Sequence, residues 1–136
     1  MLAEIQVQVS KRKVYALDEY GQTIAHFPCG TAFYPGVNEY GEPRGNAEPG
    51  VYNDGFVWAE TGRQGDAYGT GYINIDARGR ALHGGGTGLD DPYADYQPII
   101  PTLGCFRMYN ADIEWLAKSF LHSVRLGLKP CIHVVN

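Results

Sequence analysis

Residues 5–9, IQVQV, alternate apolar and polar side chains, the period-two pattern of a strand with one buried face. The next stretch, KVYALDEYGQTIAHFP, reads as a hairpin with arms at 14–17 and 23–27. Residues 18–21 form its turn, where Gly21 can take a positive φ. Strand-like composition returns around Val51 and over 56–59. Two further short strands, 72–75 and 80–83, flank an Asp-Ala-Arg-Gly turn, and CIHVV at 131–135 makes a last one after Pro130.

One segment has a different period. Ile113, Leu116, Ala117, Phe120, Leu121 and Val124 recur at helical spacing and form one apolar stripe. Asn110 stands at the N-cap position, Asp112 and Glu114 suit the positive end of the helix, and Arg125 suits the other. Gly127 fits the left-handed residue after the C-cap. The pattern therefore predicts a mostly β chain with one main α-helix near the C-terminus, forming a single domain over 1–136. Between the elements lie a long surface loop over 30–50, with a solvated charged part at 38–44, and a polar connection over 61–70. Residues 84–101, GGGTGLDDPYADYQPIIP, show no period and read as a flexible flap.

Composition narrows the function. The 18 glycines and 10 tyrosines agree with strands joined by turns. A net charge of -4 and the lack of a basic stripe argue against nucleic acid as partner. No apolar run approaches the roughly 20 residues of a membrane span. The first ten residues lack the basic start and apolar run of a signal peptide, so the chain stays in the cytosol, leaves by another route, or is a mature fragment. Three cysteines cannot make a disulfide framework; Cys29 and Cys131 read as buried thiols, and whether they pair is left open. No C-x-x-C or H-x-x-x-H spacing calls for a metal, and GGGTG lacks the Gly-Lys-Ser/Thr ending of a phosphate cradle.

The candidate chemistry centres on Cys105. A thiol becomes a strong nucleophile as thiolate, which needs a base or a positive field. Among the four histidines, His83 ends a strand and opens a glycine run, which combines rigidity with access. Gly104 clears space before the cysteine, and Arg107 brings a fixed positive charge that favours the thiolate or holds a carboxylate. Backbone N–H groups in this tight segment can face a developing oxyanion.

His83-Gly84 followed, after a variable loop, by T-x-G-C-F-R-M-x-N-x-D over 102–112 resembles the L,D-transpeptidase catalytic domain of the YkuD type. The opening strands and the AEPGVY turn at 47–52 are similar to that family as well. The resemblance implies a β-sandwich or barrel-like catalytic fold and action on peptidoglycan stem tetrapeptides, without a cofactor. It implies Cys105 as nucleophile, His83 as base, the Gly84 carbonyl orienting the imidazole, and an oxyanion hole at Gly104 and Cys105. Thr102 and Arg107 would shape the site, Asn110 would cap the helix that positions it, and carbapenems would acylate the thiol. The family's envelope location is implied too.

This chain carries Leu103 where many relatives have a histidine, and its interval from His83 to Cys105 is long. Asp90, Asp91 and Asp95 in that interval offer attraction for a stem peptide's free amine. Three functions stay open: transpeptidase, a carboxypeptidase or other peptidoglycan hydrolase with the same Cys-His pair, and a catalytically silent binding module. Oligomeric state, stem type and acceptor are not legible.

Overall fold

The computed structural model describes residues 1–31, 36–37 and 43–136. The expected charged loop over 38–44 falls mainly outside them. In chain order the elements are β1 (Leu2–Gln8), β2 (Lys13–Asp18), β3 (Thr23–Pro28), β4 (Gly36–Val37), β5 (Pro43–Arg44), β6 (Gly50–Tyr52), β7 (Trp58–Thr61), β8 (Gly71–Asn74), β9 (Ala81–His83), β10 (Phe106–Arg107), α1 (Asn110–Arg125) and β11 (Cys131–Val135).

Five strands form one sheet in the order β3-β2-β1-β11-β6, and four form a second in the order β10-β9-β8-β7; β4 and β5 pair separately. The N-terminal and C-terminal strands β1 and β11 lie parallel at the centre of the first sheet. Their alternation decides which side chains are inside: Ile5 and Val7 of β1, Val14 and Ala16 of β2, and Ile132 and Val134 of β11 are buried. The second sheet contributes Ile73, Leu82 and Phe106 to the same core. The helix packs against β7, β8 and β9 and touches β1, so it joins the two sheets. Its Ile113, Leu116, Ala117 and Phe120 are buried, each contributing roughly 1.5–3 kcal/mol for the larger side chains.

Two helix expectations need correction. Val124 is 44% exposed, and Ser123 is the buried residue of that turn, its hydroxyl donating to the Leu2 carbonyl at 2.6 Å. The buried face ends against a strand terminus whose carbonyl needs a donor, so a hydroxyl takes the place of a methyl pair there. Asn110 does not cap the helix; Tyr109 is the N-cap residue and makes no side-chain cap bond. Asn110 is the first helical residue, and its carboxamide is used elsewhere. The C-terminus follows expectation: Gly127 has φ 88°, and the N–H groups of Gly127 and Leu128 donate to the carbonyls of Val124 and Ser123.

Candidate active site

Strand register builds the site. In the second sheet Phe106 lies beside Leu82 and Arg107 beside His83, in parallel. Leu82 pairs with Ile73 and His83 with Tyr72, and Tyr72 pairs with Glu60 across the next ladder. Because side chains alternate faces, Leu82, Ile73 and Phe106 enter the core, and His83, Tyr72, Arg107 and Cys105 share the opposite face. That face opens on a cavity of about 530 Å³ lined by His83, Cys105, Arg107, Tyr68, Thr102 and Leu103, among others. The nucleophile and base candidates, 22 positions apart in sequence, thus meet one cavity, His83 from β9 and Cys105 from the turn just before the adjacent β10.

Each group is held. His83 is 2% exposed, and its Nδ1 lies 2.7 Å from the Gly84 carbonyl. With Nδ1–H donating there, Nε2 is the nitrogen left to accept a proton. Tyr68 stands edge-on to the imidazole at 4.9 Å, and Tyr72 lies nearly parallel to it at 6.3 Å. Thr102 donates its hydroxyl to the Cys105 carbonyl at 2.5 Å, closing the turn that carries Gly104. A Cβ on Gly104 would come within 2.9 Å of the Gly45 carbonyl, so only glycine lets the two segments approach. Leu103 is 70% exposed at the rim.

Arg107 is committed to backbone rather than free to fork onto a carboxylate. Its guanidinium donates to the carbonyls of Ile100 at 2.7 Å, Pro101 at 3.1 Å, Ala67 at 3.2 Å and Gly84 at 3.3 Å. One buried side chain thereby ties three walls of the cavity together, and no carboxylate among the described residues pairs with it.

The family model for the L,D-transpeptidase catalytic domain (YkuD) matches residues 3–127. The chain belongs to the L,D-transpeptidase catalytic-domain family. Solved structures agree with its fold. The L,D-transpeptidase of Xylanimonas cellulosilytica is 14% identical, with a TM-score of 0.61 over 99% of this chain and 62% of that one. The avibactam carbamoyl enzyme of Ldtfm is 14% identical, with a TM-score of 0.60 over 100% of this chain and 49% of that one. A Cys-to-Ser mutant of the Enterococcus faecium L,D-transpeptidase is 13% identical, with a TM-score of 0.58 over 99% of this chain and 50% of that one. The chain therefore spans about half to three-fifths of the length of these structures. No curated protein matches it.

In this L,D-transpeptidase fold the segment 84–101 is not a free flap. Gln97, 2% exposed, donates to the carbonyls of Met108 at 2.9 Å and Gly85 at 3.3 Å and accepts from the Asn110 N–H at 2.8 Å. The Asn110 carboxamide accepts from the N–H of Gly85 at 3.0 Å and of Thr70 at 3.3 Å. It donates to the carbonyls of Ala94 at 2.6 Å and Pro92 at 2.8 Å. Two buried amides thus satisfy backbone that has no ladder of its own. The Gly84–Gly85 peptide, whose oxygen faces His83, is fixed at its N–H by Asn110. A Cβ on Gly84 would run into the Asn110 carboxamide, which explains that glycine by space rather than by φ.

Electrostatics set the resting protonation. Burial pulls His83 down to about 4; the Gly84 carbonyl opposes this and the Arg107 charge adds to it. Burial also raises the Cys105 thiol, while the Ala81 backbone and Arg107 favour the thiolate. At neutral pH the pair rests as a neutral thiol and a neutral imidazole able to take its proton. Cys29 is buried and pushed up to about 12, the behaviour of an inert core thiol, and Cys29 and Cys131 are both unpaired.

Sequence reasoning missed Tyr68, Tyr72 and Gln97. Tyr72 was reachable: a turn centred on 76–79 pairs 72 with 83 by counting outward. Gln97 carried no signal, because a buried amide inside an irregular stretch resembles any polar loop residue.

Proposed function

We propose that this protein is a cysteine L,D-transpeptidase acting on peptidoglycan stem tetrapeptides at the cell envelope. The observation that carries the reading is the shared cavity: His83 lines it from β9 and Cys105 from the turn that leads into the adjacent β10, with the imidazole steered by the Gly84 carbonyl. His83 takes the thiol proton on Nε2 as Sγ attacks the carbonyl of the third stem residue. The tetrahedral oxyanion faces the backbone N–H groups of Gly104 and Cys105, with the Arg107 charge nearby. Collapse breaks the peptide bond, and the imidazolium returns its proton to the leaving D-alanine amine. The thioester on Cys105 then passes its acyl group to an amine, and the thiol re-forms.

Thr102 holds the turn that presents the nucleophile, and Arg107 holds the walls. Leu103 adds apolar surface at the rim where a second histidine would offer a polar contact. The test is incubation of reduced protein with tetrapeptide muropeptides. Released D-alanine together with cross-linked dimer supports the reading; tripeptide without dimer makes the protein a hydrolase. No product at all, and no mass increase with a carbapenem, makes the module silent.

A further inference from the structure

The outer face of the second sheet continues beyond His83, away from Arg107, and the register orders its charges. Arg107, His83, Tyr72 and Glu60 lie in one line across the four strands. The line begins with a cation and ends with a carboxylate. Glu60 is exposed on the edge strand β7, and no cation pairs with it among the described residues. Between the ends lies an aromatic floor. Trp58 stacks on Tyr72 at 5.1 Å with 30° between the rings. Tyr68 stands perpendicular to Tyr72 at 5.7 Å and to His83 at 4.9 Å. The floor is accessible, since Trp58 is 41% and Tyr68 43% exposed. It is also fixed, because the Tyr72 hydroxyl lies 3.1 Å from Asn74 Oδ1 and 3.2 Å from the Gly79 carbonyl.

A row of rings led by the exposed indole of Trp58 and bordered by the exposed Glu60 carboxylate suits one chemistry, an alkylammonium: the Trp58 π system and the carboxylate attract it, and the neighbouring rings cover its alkyl chain. The row meets the cavity that holds Cys105 at Tyr68 and His83, which both line it. We propose that Trp58, Tyr72, Tyr68 and Glu60 form the approach path for a primary-ammonium acceptor, delivering it to the acyl-enzyme from the side of His83 opposite Arg107. This rests on the transpeptidase reading above. The ammonium is concentrated on the path and sheds one proton to solvent. The free amine then attacks the thioester: a C–N bond forms, the C–S bond breaks, and His83 carries the amine's second proton back to the sulfur.

The test measures how the acyl-enzyme, made from a tetrapeptide donor, partitions between water and an added nucleophile. Nα-acetyl-lysine amide serves as the cationic acceptor and methoxyamine as one that is uncharged at neutral pH. Products are quantified by mass spectrometry. Glu60→Gln is expected to lower transfer to the lysine derivative relative to hydrolysis by roughly two- to fivefold, with transfer to methoxyamine unchanged. Raising salt to about 0.5 M should shrink that deficit. Trp58→Ala should lower transfer to the cation by roughly two- to fivefold, and Trp58→Phe should restore most of it. An equal effect on both nucleophiles, or no effect on either, overturns the path. A wild-type protein that forms no acyl-enzyme overturns the transpeptidase reading itself and the path with it.

Discussion

One buried side chain should account for about 3 kcal/mol of this protein's loss of stability in acid. His83 is 2% exposed and is pulled from an ordinary 6.5 to about 4. The unfolded chain therefore binds a proton between those values that the folded chain refuses. The folded pKa is depressed, so the contribution is present in full above the unfolded value and is lost as pH falls through the folded one. A shift of about 2.5 units at 1.36 kcal/mol each gives roughly 3 kcal/mol lost between neutral pH and pH 4. The assay is urea unfolding at several pH values in that window, for wild type and for His83→Gln. The difference between the two proteins cancels the carboxylates that titrate alongside. It should shift by about 3 kcal/mol against wild type as pH falls. Curves that stay parallel would show that the imidazole titrates alike in both states, and the buried neutral base would be wrong.

Acylation should follow the same group: its acid limb should lie near pH 4, well below that of an exposed histidine, checked by timed mass spectrometry of the Cys105 adduct. Gly84→Ala places a methyl against the Asn110 carboxamide and should cost about 1–3 kcal/mol in unfolding experiments while slowing acylation, since the same peptide steers His83. Thr102→Val removes the bond to the Cys105 carbonyl; about 1 kcal/mol of stability and a lower acylation rate at unchanged fold by circular dichroism are expected. Gly127→Ala forces a β-carbon into a φ of 88° at the helix end and should cost about 1 kcal/mol without touching acylation.

Much of this architecture was legible because it rests on period. The alternation in β1, the hairpin of β2 and β3 and the stripe of α1 each report a buried face directly. The motif around Cys105 was legible for a different reason: residues 102–112 are contiguous and resemble the family's pattern directly. What escaped were residues whose partners are distant in sequence. Asn110 looked like an N-cap because asparagine favours that position, yet its carboxamide satisfies four backbone groups between residues 70 and 94. Residues 84–101 looked loose because they lack a period, and the two amides that secure them have no period either. Val124 fitted the stripe, but the helix reaches the end of β1 at that turn, where a carbonyl favours Ser123.

The most direct measurement is the intact mass of the reduced protein after exposure to a tetrapeptide donor, with the adduct mapped by proteolysis. A thioester on Cys105, equal in mass to the donor less D-alanine, should appear in the wild type and be absent or strongly reduced in Cys105→Ala and His83→Gln. An adduct that forms as fast in His83→Gln as in the wild type, or that maps to Cys29 or Cys131, would contradict the account.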